Sequence, residues 1–204
     1  MKKYLGLILI SVLILSACGK NTPTATTSPT PTPRLVEMAV ADRPTISLLS
    51  RNDGHELTLR IGSISKNITK IEYELTYTAA TNGLEIEKGA SGNIEATDLA
   101  ATKTDRKILL GTESCTSGCK YSYDNGVTGG NLNLTFTTQN GQISTFDTPF
   151  TLKSSAEVKK AGKLVWTDQN FSSVPKSIPS STYFVVLKDY KNDGSYLVTN
   201  SSSL

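Results

Sequence analysis

The chain has 204 residues, of which 37% are apolar and only 7% aromatic, and its formal net charge is +3. That length accommodates one sizeable domain, and this composition suits a β-sandwich with a polar exterior better than a packed α/β enzyme. Lys2 and Lys3 lie in the N-terminal leader, and without them 19 of the 21 basic side chains remain against 18 acidic ones. This balance lacks the basic stripe typical of nucleic-acid binding, so we exclude nucleic acid as a partner.

Residues 1–17 have the three parts of an export signal. Lys2 and Lys3 form the positive end, the 12 residues 4–15 form an apolar stretch, and small residues precede Cys18. A helix of 12 residues spans about 18 Å, whereas the bilayer hydrocarbon is roughly 30 Å thick. A cleaved leader is therefore favoured over a permanent membrane span.

Leu15-Ser16-Ala17-Cys18 resembles the lipobox of bacterial lipoproteins. The resemblance implies that the sulfur of Cys18 receives a diacylglycerol and that the leader is cut between Ala17 and Cys18. The acyl chains would then hold the protein on a membrane, because burial contributes about 0.8 kcal/mol per CH₂. Gly19 stands where an aspartate would favour inner-membrane retention in this family, so an outer-membrane location is compatible with a diderm cell. An ordinary secretion signal is the alternative.

Residues 18–34 form a linker after the leader. Four prolines alternate with threonine and serine between residues 21 and 34, and no large apolar side chain interrupts them. Such a segment favours extended polyproline II conformations and cannot bury a core. We expect a disordered tether of roughly 45 Å between the membrane and a folded domain.

From Leu35 onward the apolar period becomes two. This alternation predicts strands with one buried face at 55–61, 71–77 and 132–136. Phe146, Phe150 and Leu152 predict a further strand, with Pro149 at an edge or a bulge. Asn-Gly and Asp-Gly pairs separate the strands, and the clearest hairpin turn is Asn140-Gly141.

Seven or more short strands over residues 35–152 resemble an immunoglobulin-like or fibronectin-III-like sandwich, so we predict an all-β, antiparallel fold. The resemblance is architectural, because the tryptophan and disulfide spacing of immunoglobulin domains is missing. Residues 153–165 are lysine-rich and weakly patterned, and we place a boundary at residue 153. Residues 153–204 contain a predicted hairpin that packs on the sandwich or on a small second module.

Cys115 and Cys119 enclose the tripeptide Thr-Ser-Gly. Outside the cytoplasm this pair favours a structural disulfide, worth at most about 2 kcal/mol from loop-closure entropy. A redox pair usually has the tighter Cys-x-x-Cys spacing, and a zinc site needs two further ligands in a chain whose only histidine is His55. Redox and metal roles stay as the alternatives.

Tyr121 and Tyr123 lie on one face of a predicted strand, and with Trp166 they form a candidate aromatic platform for a sugar. Half-buried packing residues are the competing interpretation. His55 follows a turn and has no neighbouring nucleophile with an orienting acid, so a surface histidine is favoured over a catalytic base.

Two groups of acidic residues are further candidate sites. Four glutamates alternate with apolar residues, which places them on a solvent face rather than in a glycosidase pair: Glu72, Glu74, Glu85 and Glu87. Residues 189–200 match an EF-hand loop only in part, and Lys191 and Asn200 occupy ligand positions, so we reject that site. A looser calcium site at Asn52, Asp53 and Glu56 is an alternative.

The sequence therefore predicts an extracytoplasmic, lipid-anchored module with a non-catalytic binding or structural role in the cell envelope, and no cofactor. The alternatives are a carbohydrate-binding accessory module, an adhesin or pilin-like subunit, and an envelope hydrolase whose acids converge only in three dimensions. The predicted partners are the lipid bilayer, through the acyl chains, and an envelope protein or glycan.

Overall fold

A computed structural model describes residues 34–81, 83–167 and 170–201. The predicted leader, Cys18 and residues 19–33 of the tether lie outside the described residues. Among the described residues, no helix is long and apolar enough to cross a bilayer.

The described chain is built mainly of strands, with two short helices and one 3-10 turn at Val40–Asp42. The first strands are β1 (Arg34–Leu35), β2 (Thr45–Ser50), β3 (Glu56–Gly62), β4 (Ile68–Thr81) and β5 (Leu84–Ile94). After α1 (Ala96–Ala100) come β6 (Arg106–Leu109), β7 (Gly111–Cys115), β8 (Cys119–Tyr123), β9 (Gly129–Thr138) and β10 (Gln142–Ser154). After α2 (Ser155–Ala161) come β11 (Leu164–Val165), β12 (Ser172–Ser173), β13 (Tyr183–Lys188) and β14 (Tyr196–Asn200).

The predicted all-β, antiparallel fold is confirmed. One sheet has the strand order β2-β3-β6, and the larger sheet has the order β14-β13-β10-β9-β4-β5, with β1 added in parallel beside β10. The sandwich proper consists of seven strands, β2 to β6, β9 and β10. Counted in chain order, the first, second and fifth of them share one sheet, and the fourth, third, sixth and seventh lie side by side in the other. This is the strand arrangement of a fibronectin-III-like sandwich.

The alternating apolar residues of both sheets face each other and form the main core. Their burial is complete or nearly so, as the two-residue period predicts. The fully buried members include Leu57 and Leu59 of β3, Ile71 and Leu75 of β4, and Leu132, Leu134 and Phe136 of β9. The hairpin predicted at Asn140-Gly141 joins β9 to β10, and Gly141 has the positive φ of +75° that such a tight turn requires.

Of the two alternatives predicted for Pro149, the bulge is absent and the edge holds locally, because β10 is paired only with β9 at this residue. The residue lies inside β10, where it is paired in register with Asn131 of β9. The pairing of β10 with β13 begins only at Phe150. Proline has no backbone N–H to donate. Because the pairing with β13 starts only after Pro149, the sheet tolerates the missing donor at this residue.

The C-terminal hairpin belongs to the same sheet as the sandwich. β13 pairs with β10, β14 pairs with β13, and Val185 and Leu187 enter the main core. Phe184 and Val186, which point to the other face, form a second apolar cluster with Trp166. The hydroxyl of Thr199 donates a hydrogen bond to the carbonyl of Leu48, which fixes β14 to β2.

The weakly patterned segment after residue 153 contains α2. Glu157 N–H donates to Ser154 Oγ at 3.3 Å, and Ser154 N–H donates to Glu157 Oε2 at 2.8 Å, which is a capping box. Burial opposes ionisation of Glu157, but the hydrogen bonds from Ser154 prevail and lower its pKa. Gly162 ends the helix in the left-handed conformation, with φ +70°.

The described chain begins at one end of the sandwich, which we call the entry end. Arg34 pairs with Gln142 next to the β9–β10 turn, and Gln139 N–H donates to the Asn67 carbonyl at 2.9 Å in the loop after β3. β3 leads from this loop back to His55 at the opposite end, which we call the far end. Its seven residues separate the two ends by about 20 Å, since a strand rises roughly 3.3 Å per residue.

Candidate functional site

The most distinctive surface of the far end is the hairpin formed by β7 and β8. Its strands pair from Gly111 and Tyr123 at the base to Cys115 and Cys119 at the tip. All residues from 112 to 123 are exposed to solvent. Tyr121 and Tyr123 are two positions apart, so their side chains leave β8 on the same face.

Three aromatic rings line up on this face. The rings of Tyr121 and Tyr123 are 12° from parallel with centroids 6.1 Å apart, and His55 stacks on Tyr123 at 4.4 Å and 9°. We call the row Tyr121, Tyr123 and His55 the aromatic ladder. Tyr121 is 51% exposed and Tyr123 is 39% exposed. The two tyrosines thus offer large, solvent-facing rings held in a fixed order.

Charged groups of both signs surround the ladder. The Arg51 guanidinium lies 5.4 Å from the Tyr123 ring centroid, in cation–π contact, and its Nε donates to Asp53 Oδ1 at 2.8 Å. The hydrogen bond from Arg51 lowers the pKa of Asp53, and the hydrogen bond that Tyr121 donates to Glu113 raises the pKa of that phenol. The carboxylate of Glu56 lies 3.7 Å from both Arg51 Nη1 and Lys107 Nζ, so the cations are paired.

Asp124 fixes the base of the hairpin to the sandwich. Its carboxylate accepts a hydrogen bond from the Tyr77 hydroxyl at 2.8 Å and forms an ion pair with Lys88. Burial, with a further contribution from Asp124, raises the pKa of Tyr77 to about 12, so this phenol stays a donor. A Cβ atom at Gly111 would lie 2.3 Å from the Ser122 carbonyl oxygen, so only glycine permits the close approach of the two strands.

A disulfide between Cys115 and Cys119 closes the tip, with Cα atoms 4.1 Å apart. This is the bridge predicted from the cysteine spacing. Within the described ranges, Glu113 and these cysteines are the only close group of three potential metal ligands. Because the two sulfurs are bonded to each other, neither is a free thiolate for zinc.

Trp166 does not join the tyrosines, so the three-residue platform is wrong. The indole is only 2% exposed, its Nε1 donates to the Pro149 carbonyl at 3.1 Å, and its ring packs on Tyr196. Trp166 belongs to the second apolar cluster, on the outer face of the large sheet. The residue that completes the ladder is His55, which was predicted as a surface histidine and is half-buried.

His55 reaches the ladder through a contact between distant segments. Leu110 N–H donates to the His55 carbonyl at 2.8 Å, which places the start of β3 beside the base of the β7–β8 hairpin. Arg51 comes from the turn between β2 and β3. Only the Tyr121-x-Tyr123 spacing was visible in sequence, since no local pattern connects residues 51–55 with residues 121–123.

In the other candidate acidic sites, the carboxylates are either exposed to solvent or paired with groups of this chain. Glu72, Glu74, Glu85 and Glu87 are exposed on β4 and β5, as predicted. The carboxylates of the looser calcium candidate, Asp53 and Glu56, face Arg51. In the β13–β14 turn, Asp193 pairs with Arg43 at 2.5 Å, and Asp189 accepts a hydrogen bond from Lys191 N–H at 2.9 Å.

A cavity of about 440 Å³ lies at the entry end, away from the ladder. It is lined by residues 36–39 with Asp42, by the loop after β3 and by the β9–β10 turn. Ser65 Oγ donates to Asp42 Oδ1 at 3.3 Å in the wall of this cavity.

Comparisons of the chain with family models, with curated proteins and with solved structures find no match. We therefore infer function from the predicted leader and from the aromatic ladder.

Proposed function

We propose that this chain is an exported bacterial lipoprotein, acylated at Cys18, that holds a ligand-binding β-sandwich outside the cytoplasm. The observation that carries this proposal is the order of features in the first 18 residues. Two lysines, an apolar stretch and Leu15-Ser16-Ala17-Cys18 follow one another as export, cleavage and acylation require. Cleavage before Cys18 would leave the acylated cysteine as the new N-terminus.

The disulfide supports a location outside the cytoplasm. Cys115 and Cys119 both lie in exposed positions, where a reducing cytosol would have full access to the bond. Disulfides persist in oxidising compartments and are rare in the cytosol of mesophiles. The disulfide and the predicted leader therefore both point to a location outside the cytoplasm.

The placement of the ladder supports a binding role. The chain reaches the domain at Arg34, at the entry end, whereas Tyr121 and Tyr123 lie at the far end. Exposed tyrosines with a neighbouring arginine are the residue types that dominate recognition surfaces.

The anchor is tested by replacing the acylated residue. Cys18→Ser should abolish incorporation of labelled palmitate, because a hydroxyl does not replace the thiolate that forms the thioether. The variant should also leave the membrane fraction or accumulate as uncleaved precursor. Fluorography of the immunoprecipitated full chain provides the readout.

The matched control keeps Cys18 and removes the other cysteines. A Cys115→Ser, Cys119→Ser double variant should incorporate palmitate as the wild type does, because neither residue lies near the lipobox. Label that persists in Cys18→Ser, or a wild type that is never labelled, would overturn the anchor.

A further inference from the structure

We propose that the aromatic ladder binds a neutral polysaccharide, with one sugar ring stacked on Tyr121. The inference rests on the proposed function, because it names the ligand class of the same displayed domain. It is carried by three features of the far end: an open ring face, hydrogen-bond donors and acceptors beside it, and cations that are each paired with a carboxylate.

Tyr121 supplies the open ring face. It ends the ladder, with Tyr123 on one side, and among the described residues no further ring stacks on its other side. Half of the residue is exposed, at 51%. The C–H-rich face of a pyranose is flat and apolar, and a tyrosine ring offers a flat partner that loses little conformational entropy on binding.

The polar groups around the ring suit a ligand that carries many hydroxyls. Glu113 lies directly across from Tyr121 in the hairpin and accepts a hydrogen bond from its hydroxyl. The remaining lone pairs of this exposed carboxylate can accept from neighbouring sugar hydroxyls. Arg51 brings donors to the Tyr123 end of the ladder. Donors and acceptors therefore flank the rings, as a polyhydroxylated ligand requires.

The charges favour an uncharged ligand. Arg51 pairs with Asp53 and Glu56, and Lys107 lies close to Glu56. Glu113 is a third carboxylate beside the same rings. A polyanion would meet these carboxylates, and a cationic peptide would meet Arg51 and Lys107. A neutral glycan avoids like-charge contact with either set.

The hairpin is also preorganised. The disulfide closes its tip, and the contacts of Asp124 with Tyr77 and Lys88 fix its base. Rings that are already held in their binding positions lose less entropy when a ligand arrives.

The test is binding of the full lipid-anchored chain, in detergent micelles, to an array of defined ligands. The neutral probes are cellulose, mannan and chitin oligosaccharides, and the charged probes are sulfated glycans and polylysine. The wild type should bind at least one neutral glycan on the array. Raising the salt concentration to about 1 M should change that affinity less than about twofold, because salt screens only charged contacts.

Variants of Tyr121 separate the ring from its hydroxyl. Tyr121→Ala should raise Kd about tenfold, which corresponds to about 1.4 kcal/mol. Tyr121→Phe keeps the ring and should stay within about threefold of the wild type, since a single hydrogen bond contributes little net. Val174→Ala, at a valine that is 72% exposed and outside the hairpin, is the matched control and should bind as the wild type does.

The proposal is overturned by any of three results. These are a folded wild type that retains no neutral glycan, a Tyr121→Ala variant with wild-type affinity, and binding confined to the charged probes and lost in high salt. Palmitate labelling is read on the same preparation. A labelled protein without glycan binding refutes the ligand class alone, whereas an unlabelled protein refutes the proposed anchor.

Discussion

Two hairpins are added to the sandwich, and they are stabilised in opposite ways. β13–β14 shares a sheet with β10, and Val185, Val186 and Leu187 are completely buried. β7–β8 projects from the far end with all residues from 112 to 123 exposed, and a disulfide and the contacts of Asp124 hold it. Covalent and polar contacts at its two ends therefore hold the second hairpin while its faces stay exposed to solvent.

The largest expected effect is on the free energy of unfolding, which substitutions in the two hairpins should change by different amounts. Leu187→Ala should lower the free energy of unfolding by about 2–5 kcal/mol, because it leaves a cavity in the main core. Tyr121→Ala should change it by less than about 0.5 kcal/mol, because the ring is half exposed. Chemical denaturation followed by circular dichroism measures both, and similar losses for the two variants would contradict the contrast.

Arg43 ties the C-terminal hairpin to the segment that precedes β2. This arginine is 5% exposed, its Nε donates to the Met38 carbonyl at 3.1 Å, and its guanidinium lies 5.2 Å from the Tyr190 ring centroid. Arg43→Met keeps the apolar stem and should still cost about 2 kcal/mol, since it removes charge-assisted hydrogen bonds. The readout is the midpoint of urea unfolding.

The control for Arg43 is a similar ion pair at the surface. Arg60 pairs with Asp105 at 3.1 Å, but its side chain is 43% exposed. Arg60→Met should cost less than about 0.5 kcal/mol, as exposed pairs do. Equal costs for the two arginines would mean that burial of Arg43 does not strengthen its contacts.

Removal of the disulfide should loosen one hairpin and spare the other. The Cys115→Ser, Cys119→Ser double variant should lose at most about 2 kcal/mol, because the closed loop is short. The loss should be local, so amide hydrogens of β7 and β8 should exchange faster while those of β13 and β14 keep their protection. Unchanged protection of β7 and β8 would show that the polar contacts at the base hold the hairpin without the disulfide.

The smallest effect concerns α2, beside the C-terminal hairpin. Ser154→Ala should cost about 1 kcal/mol through loss of the cap, whereas Ser117→Ala at the exposed hairpin tip should be neutral. Because the pKa of Glu157 is lowered, its contribution is complete above the ordinary value of 4.5 and is lost as the pH falls through the folded-state pKa. The difference in stability between wild type and Glu157→Gln should therefore shrink in acid; a constant difference would contradict this role.

Local patterns in the sequence predicted much of the fold. Alternation identified the buried faces of β3, β4 and β9, and Asn140-Gly141 identified a turn, because both signals involve neighbouring residues. The capping box at Ser154 and Glu157 and the stop at Gly162 were equally local, and α2 was missed because the segment lacks a long apolar stripe. The addition of β13 beside β10 depends on distant segments, which no local pattern reports.

The site was predictable only where it lies on one strand. Tyr121 and Tyr123 share a face because they are two residues apart, and the structure keeps them together. Trp166 shares only its residue type with them, and sequence does not say that it packs into the second apolar cluster. His55 and Arg51 complete the site from another hairpin, through a contact that forms only when the chain folds.

Attachment of the mature protein to a membrane at Cys18 is the property on which the proposed function depends. Mass spectrometry of the N-terminal peptide of the protein, purified from membranes, tests this attachment. We predict a chain that begins at Cys18 and carries a diacylglyceryl thioether on its sulfur. A chain that begins at another residue, or one whose Cys18 is unmodified, would rule out the lipid anchor.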